Sequence, residues 1–92
     1  MKYEITRETR MVGAVQVYRI KAVKNFGKVK AGDFGGWVMN ETNLSHLGDC
    51  WAFDEAIIYG GASVWGDAII TDNARVFDKA RVWGNAQVRG NA

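Results

Sequence analysis

The chain has 92 residues, enough for one small domain, and a single cysteine, which excludes an internal disulfide. No run approaches the roughly 18 apolar residues that span a membrane, and the N-terminal MKYEITRETR lacks the apolar run of a signal peptide. The net charge of +2 is too small to indicate nucleic acid, although residues 1–33 are basic and residues 34–92 are mildly acidic. We therefore expect a cytoplasmic protein without a membrane partner.

The first third of the chain has the period-two alternation of β-strands. Tyr3 and Ile5 begin it, and residues 14–22 continue it, with Val15, Val17, Arg19 and Lys21 alternating with Ala14, Gln16, Tyr18, Ile20 and Ala22. This pattern predicts a hairpin with its turn near Glu8–Gly13. A repeat domain has an open end that needs a cap, so we expect residues 1–33 to cap the repeats that follow.

From residue 46 onward the sequence repeats every six residues, and residues 34–92 are predicted to form one repeat domain. Each hexad carries turn-forming residues at positions three and four and a small residue at position five, and from Ile58 onward position one is β-branched; the two earlier hexads have His46 and Ala52 there. The unit Val64-Trp-Gly-Asp-Ala68-Ile is typical. Such a hexad predicts a short strand followed by a corner, with positions one and five inside and position two outside.

These hexads resemble the repeat of left-handed parallel β-helices, in which three hexads make one triangular coil of about 18 residues. The alignment of Gly48, Gly66 and Gly84 at that spacing agrees with such a coil. Three further segments resemble the leader of small hexapeptide-repeat proteins of phages and prophages: Tyr18-Arg19-Ile20, Gly32-Asp33-Phe34-Gly35-Gly36 and Asn43-Leu44-Ser45. The resemblance implies an all-β fold, a left-handed parallel β-helix (β-solenoid) with an N-terminal β-hairpin cap, in the cytoplasm of a bacterial host.

His46 is the only histidine, and the hexapeptide-repeat acyltransferases use one catalytic histidine. His46 stands at the inward position one, and a general base also needs a carboxylate within reach. We interpret it as a structural histidine, in the core or near the cap, hydrogen-bonded to backbone; a catalytic base is the alternative. Cys50 replaces the small residue of position five and is interpreted as a buried filler. No catalytic residue is predicted, and we expect the chain not to be an enzyme.

No cofactor and no metal site is predicted. The glycine-rich segment 32–36 lacks the Lys-Ser/Thr of a phosphate-binding loop and is interpreted as a turn into the first coil. Asp49, Asp67 and Asn85 align on one corner, but calcium needs six or more oxygen ligands. We interpret these three residues as solvated turn residues.

Aromatic residues at the outward position two are the strongest functional signal. At 18-residue spacing Leu47, Trp65 and Trp83 align on one face, and Tyr59 aligns with Phe77 on another. Exposed aromatic columns mark interaction surfaces; stacking that stabilises the coil, or cover by the N-terminal segment, is the alternative. With the neighbouring arginines, the predicted protein-binding surface comprises Trp65, Trp83, Tyr59, Phe77, Arg75, Arg81 and Arg89. Acidic corners on the same coils argue against nucleic acid.

The leading hypothesis is a non-catalytic β-solenoid that works by binding. The resemblance implies a phage accessory protein that inhibits a host protein complex, such as a CRISPR-type defence system. A reduced hexapeptide-repeat acyltransferase and a structural or assembly module are the alternatives. The last coil would leave strand edges uncovered, which predicts a homodimer packed end to end through Val82, Val88 and Ala92; the homotrimer usual for the acyltransferases stays open.

Overall fold

The computed structural model describes residues 1–90, so Ala92 of the predicted dimer end lies outside the described residues. Two long antiparallel strands, β1 (Tyr3–Val12) and β2 (Val15–Ala22), form a hairpin, and β3 (Phe34–Val38) pairs antiparallel with β2. A 3-10 turn over Glu41–Asn43 is the one helical element among these residues. The all-β prediction is therefore confirmed.

None of the helical structure within residues 1–90 has the length and apolar character required to cross a membrane.

Seven two-residue strands follow, each made of position six of one hexad and position one of the next. They are β4 (Trp51–Ala52), β5 (Ile57–Ile58), β6 (Ser63–Val64), β7 (Ile69–Ile70), β8 (Arg75–Val76), β9 (Arg81–Val82) and β10 (Gln87–Val88). These strands pair in parallel with the strand 18 residues away, as Trp51 pairs with Ile69 and Ile69 with Gln87. The 18-residue period expected from the sequence is the observed register.

The strands belong to three sheets, which we call the first, second and third sides. The first side is the sheet β1-β2-β3-β5-β8, the second is β4-β7-β10, and the third is β6-β9. The hairpin is continuous with the first side, because β3 pairs antiparallel with β2 and parallel with β5. The N-terminal strands therefore extend one side of the repeats as well as packing on their first coil.

The hairpin turn lies at Gly13 and Ala14, at the end of the predicted region, because the two strands pair as far as Val12 and Val15. The pairing of the two strands is irregular, with a register shift between Ile5 and Thr9 of β1.

The core is built from the predicted inward positions. Ile58, Val64 and Ile70 at position one are buried, and so are the tiny residues at position five from Cys50 to Ala74. Val82 and Val88 are half-buried. A second, smaller cluster of Val17, Trp37 and Ile57 lies apart from this core, packed against Val12, Val15, Met39 and Tyr59.

Two residues at position six of their hexads, Trp51 and Ile57, are buried. The Trp51 ring packs edge-on against Tyr3 and Phe26, with centroids 5.9 and 5.1 Å away. Ile57 packs in the second cluster beside Trp37. The N-terminal segment covers both residues, which is the alternative that the sequence left open for the outward aromatic side chains.

The corners use left-handed backbone at position three of each hexad. Gly48, Gly66 and Gly84 have φ between 65° and 72°, and Asp54, Asp72 and Asp78 have φ between 55° and 60°. Glycine takes this conformation without steric cost, and aspartate tolerates it better than most residues. The glycine-rich segment is different from its prediction: Gly35 and Gly36 lie within β3, where a Cβ on Gly36 would overlap the Ala56 carbonyl oxygen.

We expect Gly48→Ala to destabilise the fold far more than Gly84→Ala. Both positions have positive φ, but a Cβ at Gly48 would overlap the Gly66 carbonyl oxygen, whereas a Cβ at Gly84 meets no atom within 4 Å. The shared backbone strain costs about 1–2 kcal/mol, and the overlap adds roughly 1–3 kcal/mol at Gly48 alone. Urea unfolding of both variants measures the difference; equal losses would contradict the proposed contact between corners.

Candidate functional site

His46 lies at the beginning of the repeats, beside the 3-10 turn. Its Nε2 is 3.1 Å from Oε1 of Glu41, and its Nδ1 accepts a hydrogen bond of 3.1 Å from the backbone N–H of Lys2. The imidazole also stacks on the Tyr3 ring, with centroids 4.1 Å apart. Its side chain is 28% exposed, so the ring is half-buried near the N-terminal segment and has a backbone hydrogen-bond partner. Stacking on Tyr3 and pairing with Glu41 hold the ring at the edge of the core.

The hydrogen bonds of His46 determine what its ring can do. Because Nδ1 accepts from Lys2, the neutral ring carries its proton on Nε2 and donates it to Glu41. A general base needs a lone pair that faces the substrate, and here both nitrogens bind protein groups. In this arrangement His46 fastens the N-terminal segment to the 3-10 turn.

Lys2 and Cys50 form a buried pair next to the histidine. Lys2 Nζ donates to the carbonyl oxygens of Cys50 and Gly48 at 2.7 and 3.2 Å and lies 3.4 Å from Cys50 Sγ. Burial lowers the pKa of Lys2, and burial raises the pKa of the Cys50 thiol, although the neighbouring Lys2 charge opposes that rise. The thiol is therefore protonated at neutral pH and closed to substrate, as a filler would be.

Tyr3 also attaches the N-terminal segment to the first coil. Its hydroxyl donates to the Leu44 carbonyl oxygen at 2.6 Å, and burial raises the pKa of the phenol above its ordinary value. The phenol stays neutral and keeps its hydrogen-bond donor across the physiological range.

The predicted aromatic columns stack across the coils. The Trp65 and Trp83 rings are stacked with centroids 6.4 Å apart, and the Tyr59 and Phe77 rings with centroids 5.4 Å apart. Trp83 is 62% exposed and Leu47 80% exposed. Tyr59 instead packs against the second hydrophobic cluster. The exposed aromatic surface is therefore carried mainly by the third side.

The structure does not bring the seven predicted surface residues together. Arg75, with Tyr59 and Phe77, belongs to the first side, whereas Arg81 flanks the Trp65–Trp83 column on the third side. Arg89 follows β10 on the second side. All three arginines are exposed, but they face different directions.

Sequence reasoning missed a groove between the hairpin and the first side. This arginine groove has a volume of about 300 Å³ and is lined by Arg10, Glu55, Ile57, Asn73 and Arg75. Only Arg75 was singled out from the sequence. The groove joins residues up to 65 positions apart, at Arg10 and Arg75, and no motif or period connects them.

Glu55 is the centre of the polar contacts beside the arginine groove. Arg19 Nη2 lies 3.0 Å from Glu55 Oε2, Arg10 Nη1 lies 3.5 Å from Oε1, and Trp37 Nε1 donates to Oε1 at 3.4 Å. The Arg19 hydrogen bond is the main cause that lowers the pKa of the Glu55 carboxyl. Both guanidinium groups also lie over the Trp37 ring.

Within residues 1–90 no group of three or more His, Cys, Asp or Glu side chains could hold a metal ion. Asp49 and Asp67 of the predicted corner column are joined directly, because the Asp49 N–H donates to Asp67 Oδ1 at 3.1 Å. The Asp67 carboxylate therefore links two successive corners by a hydrogen bond.

Comparison with known proteins gives one similarity. No protein-family model matches the chain. It is 36% identical over 72 residues, 68% of its length, to a protein of Escherichia coli (strain K12) named "Uncharacterized acetyltransferase YdcK". The chain spans about a fifth of that protein, 22% of its length. The similarity is consistent with a hexapeptide-repeat family, and a phage origin stays a prediction.

The expectation that the chain is not an enzyme is contradicted by this similarity, because the similar protein is named an acetyltransferase. A catalytic histidine needs a carboxylate partner, and the fold supplies one for His46 in Glu41, five residues earlier in the chain. Local sequence could not show that the two side chains meet.

We expect Glu55→Gln to lower the free energy of unfolding at pH 7 by less than about 1 kcal/mol, since its ion pairs are partly exposed. The folded-state pKa of Glu55 lies below its unfolded value, so this stabilisation is complete above the ordinary glutamate pKa and is lost as the pH falls through the folded-state pKa.

Denaturant unfolding between pH 7 and pH 3 measures this effect, with Glu4→Gln as the control at an exposed carboxylate. The difference between Glu55→Gln and the unsubstituted protein should vanish at low pH. A difference that persists at pH 3 would contradict the ion-pair explanation.

Proposed function

We propose that the chain is part of a left-handed parallel β-helix of the hexapeptide-repeat type that takes part in acyl transfer. In such a reaction a hydroxyl or amine of the acceptor attacks the carbonyl carbon of an acyl thioester, and the thiol leaves. The observation that carries the proposal is the stacking of hexads every 18 residues, in a chain similar to a protein named an acetyltransferase.

The contribution of this chain to acyl transfer would be a rigid wall. Each coil hydrogen-bonds to the next through backbone groups, as Ile57 N–H donates to Ala74 O at 3.0 Å and Tyr59 N–H to Val76 O at 2.9 Å. Side chains on such a wall are held in place before a substrate binds, which lowers the entropic cost of orienting it.

His46 is the histidine that could act as a base in this reaction, with Glu41 orienting it. For that role an acceptor would have to replace the Lys2 N–H at Nδ1. The backbone contact is short, and the Lys2 side chain is anchored to Cys50 and Gly48. We therefore propose that His46 positions the N-terminal segment and is not the base.

We expect the chain to bind acetyl-CoA, and His46→Ala to retain both that binding and any transfer activity while lowering stability by about 1–3 kcal/mol, because the Lys2 N–H loses its acceptor. Calorimetry with acetyl-CoA, release of free thiol and urea unfolding measure the three quantities.

Two results would contradict parts of this proposal. Absence of both acetyl-CoA binding and transfer in the unsubstituted protein would contradict acyl transfer. Loss of transfer in a folded His46→Ala variant would instead assign the base to His46.

A second function, self-association, is proposed because of an apolar hollow at the C-terminal end of the described coils. This hollow has a volume of about 440 Å³, and its lining includes Val76, Phe77, Ala80, Val82 and Val88. Burying such a surface against a second copy would remove apolar area from water. We propose the end-to-end homodimer on this ground; a structural or assembly role would use the same contact.

Inhibition of a host defence complex stays a prediction that rests on the sequence resemblance. The same holds for localisation in the cytoplasm of a bacterial host. The exposed Trp65–Trp83 column would be its contact surface, since aromatic residues beside an arginine are enriched at binding hot spots.

We expect Val88→Asp to dissociate the homodimer before it unfolds the chain, because the charge would be placed in the apolar hollow. Gln87→Asp is the matched control, an exposed neighbour on the same strand. Solution mass by light scattering at several protein concentrations measures both. A strictly monomeric mass for the unsubstituted chain would contradict the dimer.

A further inference from the structure

We infer that the arginine groove binds an oxyanion, the carboxylate or phosphate group of a small molecule. The inference rests on the groove between hairpin and coil, and it does not depend on acyl transfer.

The groove has a rigid floor. Ile57 pairs with Trp37 on one side and with Arg75 on the other, so these three side chains stand in one row on the same face of the sheet. Trp37 and Ile57 are buried, whereas Arg75 at the end of the row is exposed. The strand ladder therefore fixes the position of the Arg75 backbone next to an apolar floor.

Arg10 lines the opposite wall from β1 of the hairpin. Its guanidinium is held by Glu55, 3.5 Å away, and lies 5.9 Å from the Trp37 ring centroid. Two guanidinium groups from different elements thus border one groove. Guanidinium forks bind carboxylate and phosphate oxygens through paired hydrogen bonds.

The charges around the groove leave one cation without a partner. Arg10 and Arg19 share Glu55, and Arg19 also lies 3.5 Å from Glu8. By contrast, Arg75 forms no ion pair with any residue in 1–90. An anion in the groove would supply the missing countercharge.

Two corner carboxylates already have hydrogen-bond partners, whereas Asp78, which lines the apolar hollow together with Arg75, forms no ion pair within residues 1–90. Asp54 Oδ2 accepts from the Thr71 hydroxyl at 3.2 Å, and Asp72 Oδ2 accepts from the Gly90 N–H at 3.1 Å. Asn73, the next residue after Asp72, lines the groove together with Arg75. Its amide offers a neutral donor to the same anion.

The size of the groove limits the ligand. A volume of about 300 Å³ is at the lower end of the range for small-molecule sites. It suits a phosphate or a short carboxylic acid with an apolar portion against Ile57.

The test is a titration of the 15N-labelled chain with acetate and, separately, with inorganic phosphate, at constant ionic strength maintained with sodium chloride. We expect NMR shifts at the backbone amides of Ile57 and Arg75 and at the side-chain amide of Asn73. Response to one probe or to both supports the inference and identifies the preferred group. Shifts with neither probe would overturn it.

Arg75→Ala should weaken binding by about tenfold, the loss of one charge-assisted contact, while Arg75→Lys should weaken it less because the charge remains. Arg81→Ala is the matched control: Arg81 is exposed at the same hexad position but on the third side. It should leave binding unchanged. Equal weakening by Arg75→Ala and Arg81→Ala would show a general effect of positive charge and overturn the site.

Discussion

Backbone hydrogen bonds between residues one coil apart hold the repeats together, and they limit what each hexad can contain. Cys50 N–H donates to Gly66 O at 3.0 Å, and Asp67 N–H donates to Gly84 O at 2.9 Å. Successive corners therefore lie against each other. Left-handed backbone at position three is the local condition for this contact, and at Gly48 an added Cβ would overlap the Gly66 carbonyl oxygen.

The N-terminal segment explains why several residues that suggest chemistry hold the fold together instead. Lys2, Tyr3 and His46 join the start of the chain to the first coil. They do so through a backbone N–H of Lys2 that donates to His46, a stacked pair of rings and the buried Lys2 amino group. Buried polar groups are stable only when hydrogen-bonded, and each of these is. The same segment covers Trp51, which removes a large apolar surface from water.

The contact between the hairpin and the repeats also forms the arginine groove, the candidate binding site. The aromatic columns were predicted from the sequence, because their members recur every 18 residues, and Trp65 stacks on Trp83 as that spacing predicts. No sequence pattern indicated Arg10, Glu55 or Asn73, since these residues share no period and come from separate elements. The ring position of His46 likewise depends on contacts with Tyr3 and Glu41, which local sequence does not show.

The amino-acid sequence by itself determined the six-residue unit, the inward positions from Ile58 to Ala74 and the 18-residue alignment. These features recur in every hexad, so each hexad indicates the same local structure. Only the tertiary structure decided the contacts between hairpin and repeats, such as Lys2 with Cys50, 48 residues apart. Such contacts occur once and depend on the path of the whole chain. That path places Arg10 opposite Arg75, and the proposed anion site exists because of it.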